Sequence, residues 1–141
     1  MSNYKYCIFL AIILYSQNAY SASENSFFLN VKISKKIQKI LAQKHQSVVA
    51  HIIYKTSPNN NAHSATGQDG YIKLGEEVKI ISPNKEQQIF VSPSWQNQEL
   101  FVEPIVFSRE ESQTSKPTNL LTCPVKTYRM AQKRIVVKCF L

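Results

Sequence analysis

The chain carries three histidines, nine carboxylates and three cysteines as candidates for acid–base, metal or thiol chemistry. Their spacing argues against most of it. His45 closes an expected helix, His51 lies in an apolar run and His63 in a polar loop, with no HExxH or similar ligand spacing. His51 reads as a core or sheet-face histidine. His63 near Asp69 is the one candidate metal pair, and a loop preorganises ligands poorly. Glu76-Glu77 and Glu110-Glu111 are adjacent, so on a strand each pair points to opposite faces. Glu99 and Glu103 would share a face about 13 Å apart, too far for paired-acid glycoside chemistry. No GxSxG elbow is present, and three glycines leave little scope for a phosphate-cradling loop. The expectation is a non-enzymatic protein without cofactor or metal.

The cysteines point to structure. Lys5 is the only charge before Glu24, Tyr6 to Tyr15 is almost wholly apolar, and Ala19-Tyr20-Ser21 supplies a small-residue cleavage pattern. That reads as a secretory signal peptide over residues 1–21, with a single domain over 22–141. The apolar run is about half the length of a spanning helix, so no stable membrane insertion is expected once it is removed. The expected location is secreted or periplasmic. Cys7 leaves with the leader, and Cys123 and Cys139 remain as a pair in an oxidising compartment, where a disulfide is expected.

Fifteen residues lie between those two cysteines, five of them cationic (Lys126, Arg129, Lys133, Arg134, Lys138) and none acidic. The net charge of +8 is unevenly placed. Residues 27–55 hold six lysines and no acid, residues 56–115 hold four cations and eight acids, and residues 116–141 hold six cations and no acid. A basic, acidic, basic chain suits an anionic partner, or docking of its basic ends on its acidic middle. The main expected contacts are Lys126, Arg129, Lys133, Arg134 and Lys138, with Lys35, Lys36 and Lys39 as additions. For an exported chain the partner is an anionic membrane surface or an acidic protein rather than nucleic acid.

The elements that must position these groups follow from periodicity. Phe27-Phe28-Leu29 predicts a short strand. Ser34 caps a helix to about Gln46, whose Ile33, Ile37, Ile40 and Leu41 share one face. Ser47–Thr56 is dense in β-branched residues and predicts a strand nearly buried on both faces. Residues 57–70 are a long polar loop. Tyr71–Leu74 and Glu77–Ile81 read as two runs around Gly75. Residues 82–85 are a turn and Gln88–Val91 a strand. Leu100–Phe107 is a strand whose Pro104 marks an edge or a bulge, and 109–119 is a polar connection. Leu120–Tyr128 and Arg134–Phe140 are the last strands. Pairing Cys123 with Cys139 would put Val125 opposite Val137 and Thr127 opposite Ile135 on a core face, leaving Lys126, Tyr128, Arg134 and Lys138 outside. Trp95, in a turn-rich stretch, reads as folding back over the core. The fold class expected is α+β: an N-terminal helix on a mostly antiparallel sheet, with a sandwich as the variant, closed by a disulfide-linked C-terminal hairpin.

Gln46-Ser47-Val48-Val49-Ala50, following a helix, resembles the Q-x-V-x-G loop of cystatins, secreted inhibitors of cysteine proteases, with Ala50 in place of the glycine. Some cystatins also carry a late disulfide hairpin with a Cys-Pro start, as in Cys123-Pro124. The resemblance implies a helix on an antiparallel sheet and an inhibitory segment at 46–50. Two readings therefore stand beside anion binding: a cystatin-like inhibitor, and an assembly component of an envelope or secretion machine that contacts its neighbours through apolar strands and the Pro104 edge.

Overall fold

The computed structural model describes residues 26–58, 67–95, 99–111 and 119–141. The expected leader, Cys7 and His63 lie outside these residues. The described chain is sheet-rich with one short helix, in the order β1 (Ser26–Lys32), α1 (Lys35–Gln43), β2 (Gln46–Thr56), β3 (Ile72–Ile81), β4 (Gln87–Phe90), a 3₁₀ turn at Pro93–Trp95, β5 (Leu100–Glu110), β6 (Tyr128–Arg129) and β7 (Arg134–Lys138). The strands form two sheets, β4-β1-β7 and β3-β2-β5-β6. All pairings are antiparallel except that of β1 with β7, which is parallel.

One core joins both sheets and the helix. Phe27, Leu29 and Val31 on β1, Ile89 on β4 and Ile135 and Val137 on β7 meet Val48, Ala50, Ile52 and Tyr54 on β2 and Val102 and Val106 on β5. Strand alternation makes this possible, because every second residue of β1 and β7 is apolar and turned the same way. The helix closes the core with Ile37 and Leu41. Its start is as expected, with Ser34 Oγ accepting from the Ile37 N–H at 3.2 Å. It ends earlier than expected, at Gln43, because the chain turns through His45 with φ 51° and enters β2 at once. β2 is buried along its core face and in part on the other, where Val49 and Lys55 are buried and Ser47, His51 and Ile53 half-buried.

Two expected breaks are absent. Ile72–Ile81 is one strand, and Gly75 does not interrupt it. The glycine is there because Trp95 lies against it, and a Cβ would fall 2.8 Å from the indole ring. Trp95 also packs on Tyr54, ring centroids 5.2 Å apart, so it folds back over the core as expected. The irregularity of this sheet sits instead between Tyr54 and Lys55 in the β2–β3 pairing. β5 runs through Pro104 without a bulge, in register with β2 from Gln46↔Glu110 to Thr56↔Leu100. The Leu100 carbonyl accepts from the Met130 N–H at 2.9 Å, and the Ser108 N–H donates to Asn119 Oδ1 at 3.0 Å. Even-numbered residues of β5 thus turn their peptide groups away from β2, and Pro104, on that same side and past the end of β6, has no ladder bond to lose.

The C-terminal hairpin needs correcting. Cys123 and Cys139 form the expected disulfide, Cα atoms 4.4 Å apart, and Thr122 pairs with Phe140 beside it. There the pairing stops. Thr122 and Phe140 exchange both backbone hydrogen bonds, at 2.7 and 2.9 Å, so the next such pair would be Pro124 with Lys138. Pro124 has no N–H to give. The arms separate into different sheets: Tyr128 and Arg129 pair with β5, while Arg134–Lys138 pairs with β1. Val125 does not face Val137 and is exposed, and Leu120–Thr127 is not a strand. Ile135, Val137 and Cys139 are buried as expected, against β1.

Candidate anion-binding surface

The parallel pairing of β1 with β7 brings the two basic segments of the sequence side by side. Lys32 stands opposite Lys138, Asn30 opposite Val136 and Phe28 opposite Arg134. These residues alternate with the buried set, so all six lie on the outer face of the three-stranded sheet. Gln88 and Phe90 extend that face on the other side of β1. The ladder continues one step beyond β7, where the Cys139 N–H donates to the Lys32 carbonyl at 3.0 Å, and Phe140 then turns outward. Phe90 and Phe140 are 60% and 62% exposed, large values for phenylalanine.

Arg134 leans over the Phe28 ring at 6.0 Å and reaches Glu86 at 3.4 Å. No ion pair joins a carboxylate to Lys32 or Lys138 among the described residues. Lys35 and Lys36 follow Lys32 by three and four residues and open α1, whose first turn carries no acid. Cations there oppose the helix dipole, which favours carboxylates at that end. Lys39 is exposed further along the helix.

The eight cations expected from the sequence are divided among the helix, the two sheets and the residues leading into them. Arg134 and Lys138 lie on the outer face just described, and Lys133 enters it, its carbonyl accepting from the Phe28 N–H at 2.7 Å. Arg129 belongs to the other sheet, on β6, and Lys126 to the non-strand segment just before it. Lys126 lies over Tyr128 at 5.6 Å, while Arg129 lies over Phe101 at 5.9 Å and 3.6 Å from Glu99. Lys32 was missing from the expected contacts. Its signal was its place in strand parity after Phe28 and Asn30, and the partner of that strand could not be read from the sequence.

The remaining polar groups form two networks on the outer face of the four-stranded sheet. Lys55, buried, binds Asp69 and, at 2.7 Å, Glu103, which also accepts from Thr127 at 3.0 Å. Desolvation pulls the Lys55 pKa down, and the two carboxylates more than offset it, so the net shift is upward. Lys55, with the Tyr71 N–H, holds Asp69 below its usual value. Asp69 is thus tied to a lysine, and His63, its partner in the expected metal pair, lies outside the described residues. His51, half-buried, meets Glu76 at 2.7 Å, and Lys73 meets the same carboxylate at 2.8 Å. Lys73 first and His51 second lower the Glu76 pKa. Glu99 and Glu103, weighed above as an acid pair, are each tied to a cation. No cluster of three metal-ligating side chains occurs among the described residues.

The segment carrying the cystatin resemblance is not a loop. Gln46–Ala50 is the first half of β2, held between β3 and β5, with Gln46, Val48, Val49 and Ala50 buried. No protein-family model matches the chain, and no curated protein or solved structure is significantly similar to it. Among the described residues no helix is long and apolar enough to cross a membrane.

Proposed function

We propose that the chain is an exported, non-enzymatic binding protein whose three-stranded sheet lays its outer face on an anionic phospholipid surface. The observation that carries this reading is the Lys32↔Lys138 register, which sets two lysines directly opposite on a face that also exposes Phe90, Val136 and Phe140. Like charges opposite each other weaken a sheet, and exposed phenylalanines cost apolar hydration. An anionic amphipathic surface relieves both. Headgroup phosphates pair with Lys32, Arg134 and Lys138, and the rings enter the interface beside them. Each cation near such a surface contributes about 1 kcal/mol, so three give a weak, salt-sensitive attachment of about 3 kcal/mol before any ring inserts.

Vesicle co-sedimentation tests this. The oxidised chain should bind vesicles containing phosphatidylserine, release as salt rises, and ignore neutral phosphatidylcholine vesicles. Changing Lys32 and Lys138 to Glu should abolish binding, and Phe140→Ser should weaken it while leaving the salt dependence. Equal binding to neutral and anionic vesicles would sink the reading. Binding to soluble polyglutamate with none to vesicles would replace the membrane with an acidic protein.

A further inference from the structure

We infer that two copies of this chain pair through the open edge of β3, antiparallel, with Val78 on the two-fold axis. This inference does not rest on the lipid reading.

The direction of each peptide group can be traced across the sheet. Odd-numbered residues of β5 face β2, since the even-numbered Leu100 turns its carbonyl to β6. In the β2–β5 register odd-numbered residues of β2 therefore face β5, and even-numbered ones face β3. The β3 partners of Val48, Ala50, Ile52 and Tyr54 are Ile81, Lys79, Glu77 and Gly75, whose peptide groups are thus used by β2. Glu76, Val78 and Ile80 are left with N–H and C=O pointing off the sheet. Among the described residues β3 pairs with no strand but β2. The side chains of Val78 and Ile80 are 56% and 68% exposed on the outer face. An edge with open ladder groups and exposed β-branched side chains is a template for another strand.

Charge then selects the strand and its register. A second β3 added antiparallel keeps the same faces together, so residues of like parity must stand opposite. With Val78 opposite its own copy, Glu76 faces Ile80 in ladder-bonded pairs, and Glu77 faces Lys79 twice, in the closer, unbonded pairs that suit side-chain contact. Within one chain Glu77 and Lys79 are already 3.8 Å apart on one face, so the two copies interlock opposite charges across the axis. Sliding one way sets Glu77 against Glu77. Sliding the other way sets Lys79 against Lys79. The register centred on Val78 avoids both and gathers Val78 and Ile80 from both chains into one apolar band.

Sedimentation velocity on the oxidised chain should show a dimer that dissociates on dilution. Lys79→Glu should weaken it at least about tenfold, since two attractive pairs become repulsive. The charge swap Glu77→Lys with Lys79→Glu should restore it. Val78→Cys, which leaves the charges untouched, as well as the hydrogen bond that the Tyr54 hydroxyl donates to Glu77, should form a symmetric disulfide on mild oxidation, because opposed residues on bonded strands are about 5.5 Å apart, within disulfide reach. A wild-type chain that stays monomeric at millimolar concentration, a Lys79→Glu chain that dimerises as well as wild type, or a Val78→Cys chain that crosslinks no faster than Lys85→Cys would each overturn the inference.

Discussion

Lys55 shows how a single side chain can bind distant stretches of this chain. It stands on β2 beneath the 67–71 turn, and its two carboxylate partners come from that turn and from β5. The linkage sign follows from Asp69. Its folded pKa lies below the ordinary aspartate range, so it contributes stability above its unfolded pKa and loses it as pH falls through the folded value. Lys55→Met should therefore raise the Asp69 midpoint back towards the ordinary carboxylate range in a carbon-detected NMR titration. It should also leave Glu103 only 17% exposed without its cation, lowering stability by about 3 kcal/mol in urea unfolding. An unmoved Asp69 midpoint would mean that the turn, not the ion pair, holds its proton affinity down. None of this network was legible in sequence. Asp69 was noticed only for its nearness to His63, and neither Lys55 nor Glu103 has a spacing that links them, because the link runs across strands. His51 was better read. Its place in an apolar strand predicted a core or sheet-face position, and it lies on the sheet face with Glu76.

At the scale of elements, the sequence spoke clearly wherever local periodicity decides the outcome. β1, the capped helix, β2, the turn after β3, β4 and β5 all occur near their expected places. It was silent where one element stops another. The expected gap at Gly75 is closed by Trp95, twenty residues away, and the expected hairpin is split by one missing N–H at Pro124. The turn between β3 and β4 was expected, but its purpose was not. Asn84 takes φ 60°, donates its backbone N–H to the Val31 carbonyl at 2.8 Å, and clamps Ile33 by both ends of its amide, accepting at 3.0 Å and donating at 2.9 Å. It thereby fixes the junction where β1 hands the chain to α1. Asn84→Ala loses two hydrogen bonds and strains a left-handed position, at a cost of about 2–3 kcal/mol. Asn84→Gly relieves the strain but not the bonds, and Asn84→Asp keeps only the acceptor. Thermal melts should rank Asn above Asp and Gly, with Ala lowest. An Ala variant that melts with wild type would show that the backbone bond to Val31 alone holds the turn.

The two surfaces proposed for the whole molecule have a geometric consequence for each other. A two-fold axis that pairs β3 with its copy runs perpendicular to the four-stranded sheet, so the core side of each sheet stays on the same side of the joined one. The three-stranded sheets share those cores. Both therefore lie on one side of the dimer, and their basic outer faces point the same way. A flat anionic surface could engage both at once. The second contact is then intramolecular, with an effective concentration in the millimolar range, and apparent affinity should rise by about 100-fold or more without any new contact. The covalent Val78→Cys dimer should bind phosphatidylserine vesicles that much more tightly than monomeric Lys79→Glu, with a steeper loss on adding salt because twice as many cations release counterions. The monomer should keep its weak attachment, since Lys79 is remote in sequence and sheet from Lys32 and Lys138. If the crosslinked dimer binds no better per subunit than the monomer, the two basic faces cannot meet one plane, and the shared direction of the two sheets fails while each surface stands on its own test.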